Sequence, residues 1–231
     1  MSPRHDDVDA AEAPAEPKDI SARSTLTPRG ARTRRRLLDA AREMFESKGY
    51  LETNVHDISS AAGVAYGTFY IYFASREEIF AELVKVHMQR FREIAASEPS
   101  TGVRPADLIE RANRGFLRAY RETAAMQGLV EQVATFDPQQ ALKRRQSNHY
   151  FRERARRAIT SWQIDGLVPR DIDAVYAASA LGALVDRSAY LWFVLGEEHD
   201  FDVAVEQLTH LYCGALGLEH SFEKDRPVDD R

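Results

Sequence analysis

The sequence predicts an all-α protein, with a head of three helices over residues 29–74 and a larger helical body over residues 75–218. Three observations carry this. Apolar residues recur from Leu37 onward at the spacing of a one-sided helix. Beyond Pro99 no segment shows the two-residue alternation of a strand. Pro105, Pro138, the pair Gly166 and Pro169, and Gly196 fall between the periodic runs, where such residues start and stop helices.

Composition bounds the class. At 231 residues, 44% hydrophobic and 29% charged, the chain reads as an ordinary globular protein of one large or two small domains. No stretch approaches the ~20 uninterrupted apolar residues of a membrane span, and the start lacks the charged-then-apolar design of a signal peptide. The single cysteine, Cys213, excludes an intrachain disulfide and fits a reducing cytoplasm, so a cytoplasmic location is expected. A net charge of -5 argues against indiscriminate nucleic-acid binding, yet leaves room for a local basic footprint.

Residues 1–28 are rich in Ala, Pro, Glu and Asp and are expected to be a disordered arm. Basic residues follow at Arg29, Arg32, Arg34, Arg35 and Arg36, either a solvated helix start or a phosphate-neutralising first turn. Leu37, Leu38, Ala41, Met44 and Phe45 place a first helix from about Gly30 to Lys48, ended by Gly49. Asn54 with Asp57 three residues on is an N-cap signal for a short second helix to Ala62. Gly63 supplies the positive φ of a tight turn and Val64 pins that turn to the core. A very short helix runs from Tyr66 to Tyr72. Ser75 caps a long one to about Ala96, with Glu77 and Glu78 in its dipole-favoured first turn. Further helices are predicted near 104–124, 126–136, 139–165, 171–195 and 201–217, then a frayed, charged tail over 219–231.

The two helices flanking Gly63 read as a helix-turn-helix. A helix that reads the major groove needs small or polar residues at its N-terminal end, so that the backbone can approach base edges. Ala65, Tyr66, Gly67 and Thr68 supply that end, and the phenols of Tyr70 and Tyr72 suit phosphate contacts. Phe69 and Phe73 fall on the core side. Taken alone, Tyr66, Tyr70 and Tyr72 read equally well as an aromatic packing stripe.

Ala40, Phe45, Gly49, Tyr50, Val55, Ile58, Ala62, Gly63, Val64, Gly67, Thr68, Tyr70, Tyr72, Phe73, Ser75 and Glu77 together resemble the DNA-binding domain of the TetR family of bacterial transcriptional regulators. The resemblance covers about fifty residues with the spacing kept throughout. It implies an all-α homodimer with an N-terminal DNA-binding domain and a C-terminal domain for dimerisation and a small effector. It further implies a repressor, not an enzyme, that leaves a palindromic operator when the effector binds. By matching positions, DNA contact is expected at Thr53, Asn54, Ala65, Tyr66, Gly67, Thr68, Tyr70, Tyr72 and Arg76, joined by Arg32 and Arg35 from the basic run. Thr53, Asn54 and Arg76 would touch phosphate at helix N-termini. Ser59 replaces the family's usual alanine, Ala65 its usual capping serine, and Tyr66 a frequent lysine or arginine. A lost cap costs ~1 kcal/mol.

In the body, Ala178, Leu181, Leu184, Leu208, Leu211 and Leu216 on the last two helices are expected to build the dimer contact, as half of an intermolecular four-helix bundle that pairs two reading helices. Phe91, Phe116, Tyr120, Gln127, Phe136, Tyr150, Trp162, Asp186, Tyr190 and Phe193 are candidates to line an effector cavity, each equally readable as ordinary core. Lys143, Arg144, Arg145, Arg152, Arg154, Arg156 and Arg157 read as a solvated face, or as a pocket mouth for the anionic head of a lipid-like effector such as an acyl-CoA. No P-loop, Gly-x-Gly-x-x-Gly, Gly-x-Ser-x-Gly or His-Glu-x-x-His occurs, so neither enzyme, cofactor nor metal is expected. A DNA-binding activator or architectural factor without a sensor is the alternative within DNA binding. A helical enzyme or carrier is the alternative outside it.

Overall fold

The computed structural model describes residues 27–96 and 102–219. The expected arm, up to residue 26, and the tail from residue 220 lie outside the described residues. Nine α-helices and no strand occur among the described residues: α1 Pro28–Lys48, α2 Val55–Ala61, α3 Tyr66–Tyr72, α4 Arg76–Ala95, α5 Pro105–Glu122, α6 Ala124–Ala134, α7 Pro138–Ile164, α8 Ala174–Phe193 and α9 Phe201–Ala215.

Local chemistry fixes most of these bounds. Thr27 caps α1 by accepting from Gly30 N, and Pro28 sits at its first position, so the helix starts two residues before the predicted Gly30. Asn54 and Asp57 form a reciprocal capping box on α2. Ser75 accepts from Glu78 N at the start of α4. Asp137, Asp173 and Asp200 cap α7, α8 and α9 in the same way. Gly63, at φ 61°, turns the chain from α2 into α3 in a conformation that side chains with a Cβ avoid.

Two apolar cores result. The head core holds Leu37, Phe45, Tyr50, Ile58, Phe69, Phe73, Phe80 and Leu83, joined by Met126, Leu129, Val130 and Val133 of α6. The body core holds Phe91, Leu117, Tyr120, Ile159, Leu181, Val185, Val205, Leu208 and Leu216. Thus α4 runs through both cores, while α6 puts an apolar face into the head from the body side. Within the body α5 packs on α4, α8 and α9, and α8 packs chiefly on α7. The α4–α5 approach is close, since a Cβ at Gly115 would lie 3.1 Å from Ala95 O. Cys213 is fully buried in the body core.

Four of the six residues expected at the dimer contact prove to be core instead. Ala178, Leu181, Leu208 and Leu216 are buried within the chain, and only Leu184 (38% exposed) and Leu211 (53%) face outward. Helical spacing identifies a one-sided stripe, but not whether the same chain or another covers it. The outward faces carry Val175, Tyr176, Ala180, Ala183 and Leu184 on α8, and Val203, Leu211 and Gly214 on α9.

Candidate nucleic-acid interface

One side of α3 presents an open face along its length. Tyr66, Gly67, Tyr70 and Ile71 are exposed on it, whereas Phe69 is fully buried and anchors the helix to the head. A one-sided helix of seven residues can do both because its faces diverge by 100° per residue. Nothing lies within 4 Å of the position a Cβ would take at Gly67, so the helix surface there is bare backbone. Tyr66 Oη and Tyr70 Oη are 2.9 Å apart. That hydrogen bond holds the Tyr70 phenol above its ordinary value of 10.0. Ala65 keeps the extended φ/ψ of an N-cap but offers no side-chain hydrogen bond.

Beside this face lies a cleft of about 610 Å³ lined by Arg29, Arg32, Thr33 and Arg36 of α1, and by Gly63, Val64, Ala65 and Thr68. Arg29, Arg32 and the neighbouring Arg35 are exposed. These arginines give the edge of the head beside α3 a local basic footprint of the kind a phosphate backbone attracts, on a chain of net charge -5. Thr68 faces this basic cleft rather than the open face of Tyr66 and Gly67.

Two expected contacts need correction. Thr53 is fully buried, and its hydroxyl donates to Met44 O at 3.1 Å and Gly49 O at 2.8 Å, which leaves nothing for a phosphate. Arg76 Nη1 donates to the carbonyls of Tyr50, Leu51 and Thr53, at 3.2, 3.4 and 3.0 Å. Its guanidinium also lies 4.5 Å above the Tyr50 ring and pairs with Glu77, so it braces the α1–α2 loop from α4. Tyr72 is half-buried against the head core and sits on another face from Tyr70. Asn54 is exposed, with its side-chain oxygen engaged by Asp57 N at 3.0 Å.

The basic run divides by role. Arg34 pairs with Glu82 at 3.2 Å and lies over the Phe73 ring, tying α1 to α4. Arg36 donates to the carbonyls of Ala62 and Gly63 and so locks the turn that aims α3. Sequence reasoning missed this clamp, as it missed exposed Ile71 on the open face of α3. The carbonyl partners of Arg36 are 26 and 27 residues away, and no local signal announces such a contact.

Among the expected effector residues, Phe91, Phe116, Tyr120 and Phe193 come together in the body. Their rings stand edge-to-face or tilted, with Phe91–Phe116 at 5.2 Å, Phe91–Tyr120 at 5.9 Å and Tyr120–Phe193 at 6.5 Å between centroids, and Phe151 completes the cluster. Trp162 is partly buried on the same core. A second cleft, of about 240 Å³, is lined by Tyr120, Glu131, Gln132, Thr135, Asp186, Arg187 and Tyr190.

Two other candidates stand apart from this group, while Tyr150 meets its edge through the Phe151 ring at 5.1 Å. Phe136 is 49% exposed and leans on Tyr50 of the head at 6.0 Å. Tyr150 is exposed beneath Arg92. Gln127 is buried between α6 and α4, where its Oε1 is 3.2 Å from His87 Nε2, a pairing that satisfies both groups. In the α7 basic run, Arg144 is neither a solvated residue nor at a pocket mouth. Its side chain, 13% exposed, bonds Glu131, Asn148 and Asp186.

Comparison with known proteins agrees with this geometry. Residues 37–83, from α1 into α4, match the family described as bacterial regulatory proteins, tetR family. An uncharacterised HTH-type transcriptional regulator, YdgC of Bacillus subtilis, is 39% identical over 72 residues, which are 31% of this chain and 37% of that protein. The chain spans 29% to 46% of the length of three such curated relatives. The HTH-type transcriptional repressor KstR2 of Rhodococcus jostii is 26% identical over 192 residues, 81% of this chain and 93% of that one. A crystal structure of a TetR-like regulator from Rhodococcus sp. RHA1 superposes with a TM-score of 0.64 at 24% identity, over 84% of this chain and 99% of the other. No helix among the described residues is long and apolar enough to cross a membrane.

Proposed function

We propose that this chain, a member of the TetR family of bacterial transcriptional regulators, is a homodimeric repressor that binds a palindromic operator and releases it when a small apolar or acyl-chain effector, such as an acyl-CoA, enters the body. The observation that carries this reading is the bare face of α3 around Gly67, set beside the cleft lined by Arg29, Arg32 and Arg36. A backbone without side-chain bulk can approach base edges, and the arginines beside it neutralise phosphate. Tyr66, Gly67 and Ile71 meet bases. Thr68 meets a base or the adjoining phosphate from the cleft, and Tyr70, Arg32 and Arg35 fix register on the backbone. KstR2 carries the word repressor in its name, which supports repression over activation.

Dimerisation uses the outward faces of α8 and α9, through Tyr176, Ala180, Ala183 and Leu184 with Val203 and Leu211. Small residues there permit close helix approach. A two-fold axis through this face sets the two α3 helices about one DNA turn apart, ~34–36 Å. Release follows from geometry. Because α4 and α6 contribute side chains to the head core, a ligand that spreads the body tilts the head and alters that spacing. Sequencing of the duplexes that purified protein retains from a random library tests the reading. Inverted half-sites support it, and retention without sequence preference at moderate salt refutes it.

A further inference from the structure

The cleft between α6 and α8 contains a feature that neither DNA reading nor folding uses. Tyr120 of α5 is fully buried at its base, and the phenol Oη has no hydrogen-bond partner among the described residues. An unfilled buried hydroxyl is disfavoured, and native proteins fill nearly all such groups. Burial, reinforced by the nearby Asp186 carboxylate, pushes this phenol far above its ordinary value, so it stays a neutral donor and acceptor. The ionic groups around it are already engaged. Arg144 Nη2 reaches both carboxylate oxygens of Asp186, at 3.1 and 2.8 Å, and its Nε bonds Glu131. Burial works against the Arg144 charge, and the two carboxylates more than offset it. Arg187 lies over the Tyr190 ring at 4.9 Å. The Glu131–Arg144–Asp186 bridge thus engages its own charges, and two guanidinium groups against two carboxylates leave the surroundings of Tyr120 neutral in net charge.

From this we infer that Tyr120 is the polar anchor of the effector site, and that the effector enters between α6 and α8 with a neutral carbonyl or hydroxyl oxygen foremost. At about 240 Å³ the cleft holds the volume of roughly eight waters at ~30 Å³ each, below the ~300 Å³ of a drug-sized site. It therefore takes the head of a ligand. The apolar remainder has one continuation, the rings of Phe91, Phe116 and Phe193 that touch Tyr120. A free carboxylate or ammonium head lying against Tyr120 meets the Glu131–Arg144–Asp186 bridge, and displacing either partner there would leave a buried charge unpaired, a costly exchange. The inference rests on the regulatory reading above and specifies its ligand as an uncharged oxygen on an apolar chain.

Isothermal titration of the full chain with four probes of similar length tests it: 2-decanone, 1-decanol, decanoate and decylamine. The ketone and the alcohol should bind, and the two ions at least about tenfold more weakly, because the site compensates no added charge. Tyr120→Phe, which keeps the ring and removes the oxygen, should weaken the neutral probes about five- to tenfold, the value of one hydrogen bond. Asp186→Asn frees part of Arg144 and should shift preference toward decanoate. Equal binding of decanoate and 2-decanone by the native chain, unchanged ketone affinity in Tyr120→Phe, or binding of no probe overturns the inference. The probes are titrated without DNA. Loss of this site while operator binding persists leaves the repressor reading intact, whereas a bound ketone with DNA affinity unaltered overturns the sensor reading alone.

Discussion

Replacing Gly67 with alanine separates what α3 does for the fold from what it does for DNA. The residue lies inside a helix with ordinary backbone angles, since it is absent from the glycines with positive φ, and an added Cβ would meet nothing within 4 Å. The methyl group therefore enters free solvent. Alanine also restricts the unfolded chain and favours the helix, which together are worth about 0.5–1 kcal/mol of added stability. On the proposed reading the same methyl points where backbone meets base edges. Crowding a packed contact by one carbon costs about 1–3 kcal/mol, or roughly 5- to 150-fold in affinity. The two effects have opposite signs, so global damage cannot imitate them. Urea unfolding of the free protein and fluorescence anisotropy with a selected duplex measure them side by side. A variant that is more stable yet binds DNA as tightly as the native chain would refute the claim that α3 approaches the groove at Gly67.

Thr53→Val should lower stability by about 1–3 kcal/mol, because two carbonyls lose a buried donor, while the folded fraction keeps native DNA affinity. Weakened binding at full stability would restore Thr53 as a phosphate contact. Tyr70→Phe should weaken binding to every duplex alike, by about three- to tenfold, whereas Thr68→Ala should change the ranking of operator variants more than their mean affinity. Burial pushes the His87 imidazole down to about 4 from 6.5, with the Gln127 hydrogen bond opposing in part. The unfolded chain then binds the extra proton between pH 6.5 and 4, so His87 contributes stability that is complete above about pH 6.5 and lost as pH falls through that window, about 3 kcal/mol in all. His87→Gln should flatten this part of the pH–stability curve measured by urea midpoints; an unchanged acid limb would exclude the histidine as its source. Leu211→Glu should dissociate the dimer in sedimentation velocity with little loss of monomer stability, while Leu208→Ala, in the core, should cost about 2–5 kcal/mol.

Helix positions were legible because their signals are local. Asn54 with Asp57, Ser75, and the prolines at 105 and 138 mark starts within one turn, and Gly63 marks the turn. The inward or outward sense of a side chain was legible only where the helix had one apolar face. Phe69 and Phe73 were placed correctly in the core on that ground. On α8 and α9 both faces are small or apolar, so periodicity could not say which one closes the core, and Leu208 and Leu216 were assigned to the wrong side. The arginines of α1 show a further limit. Arg34 and Arg36 differ from Arg32 and Arg35 only in the partners that α3, α4 and the turn bring to them, and those partners are 26 to 48 residues distant. The Glu131–Arg144–Asp186 bridge joins three helices and was invisible for the same reason.

Methylation interference on a selected duplex puts the central claim to its most direct trial, because a methyl at guanine N7 blocks approach from the major groove alone. Two clusters of interfering guanines, related by a dyad and centred about one helical turn or a multiple apart, are predicted for the native chain, with both weakened together in Gly67→Ala. Interference at a single cluster, or none in the major groove, would contradict a two-fold pair of α3 helices reading the operator.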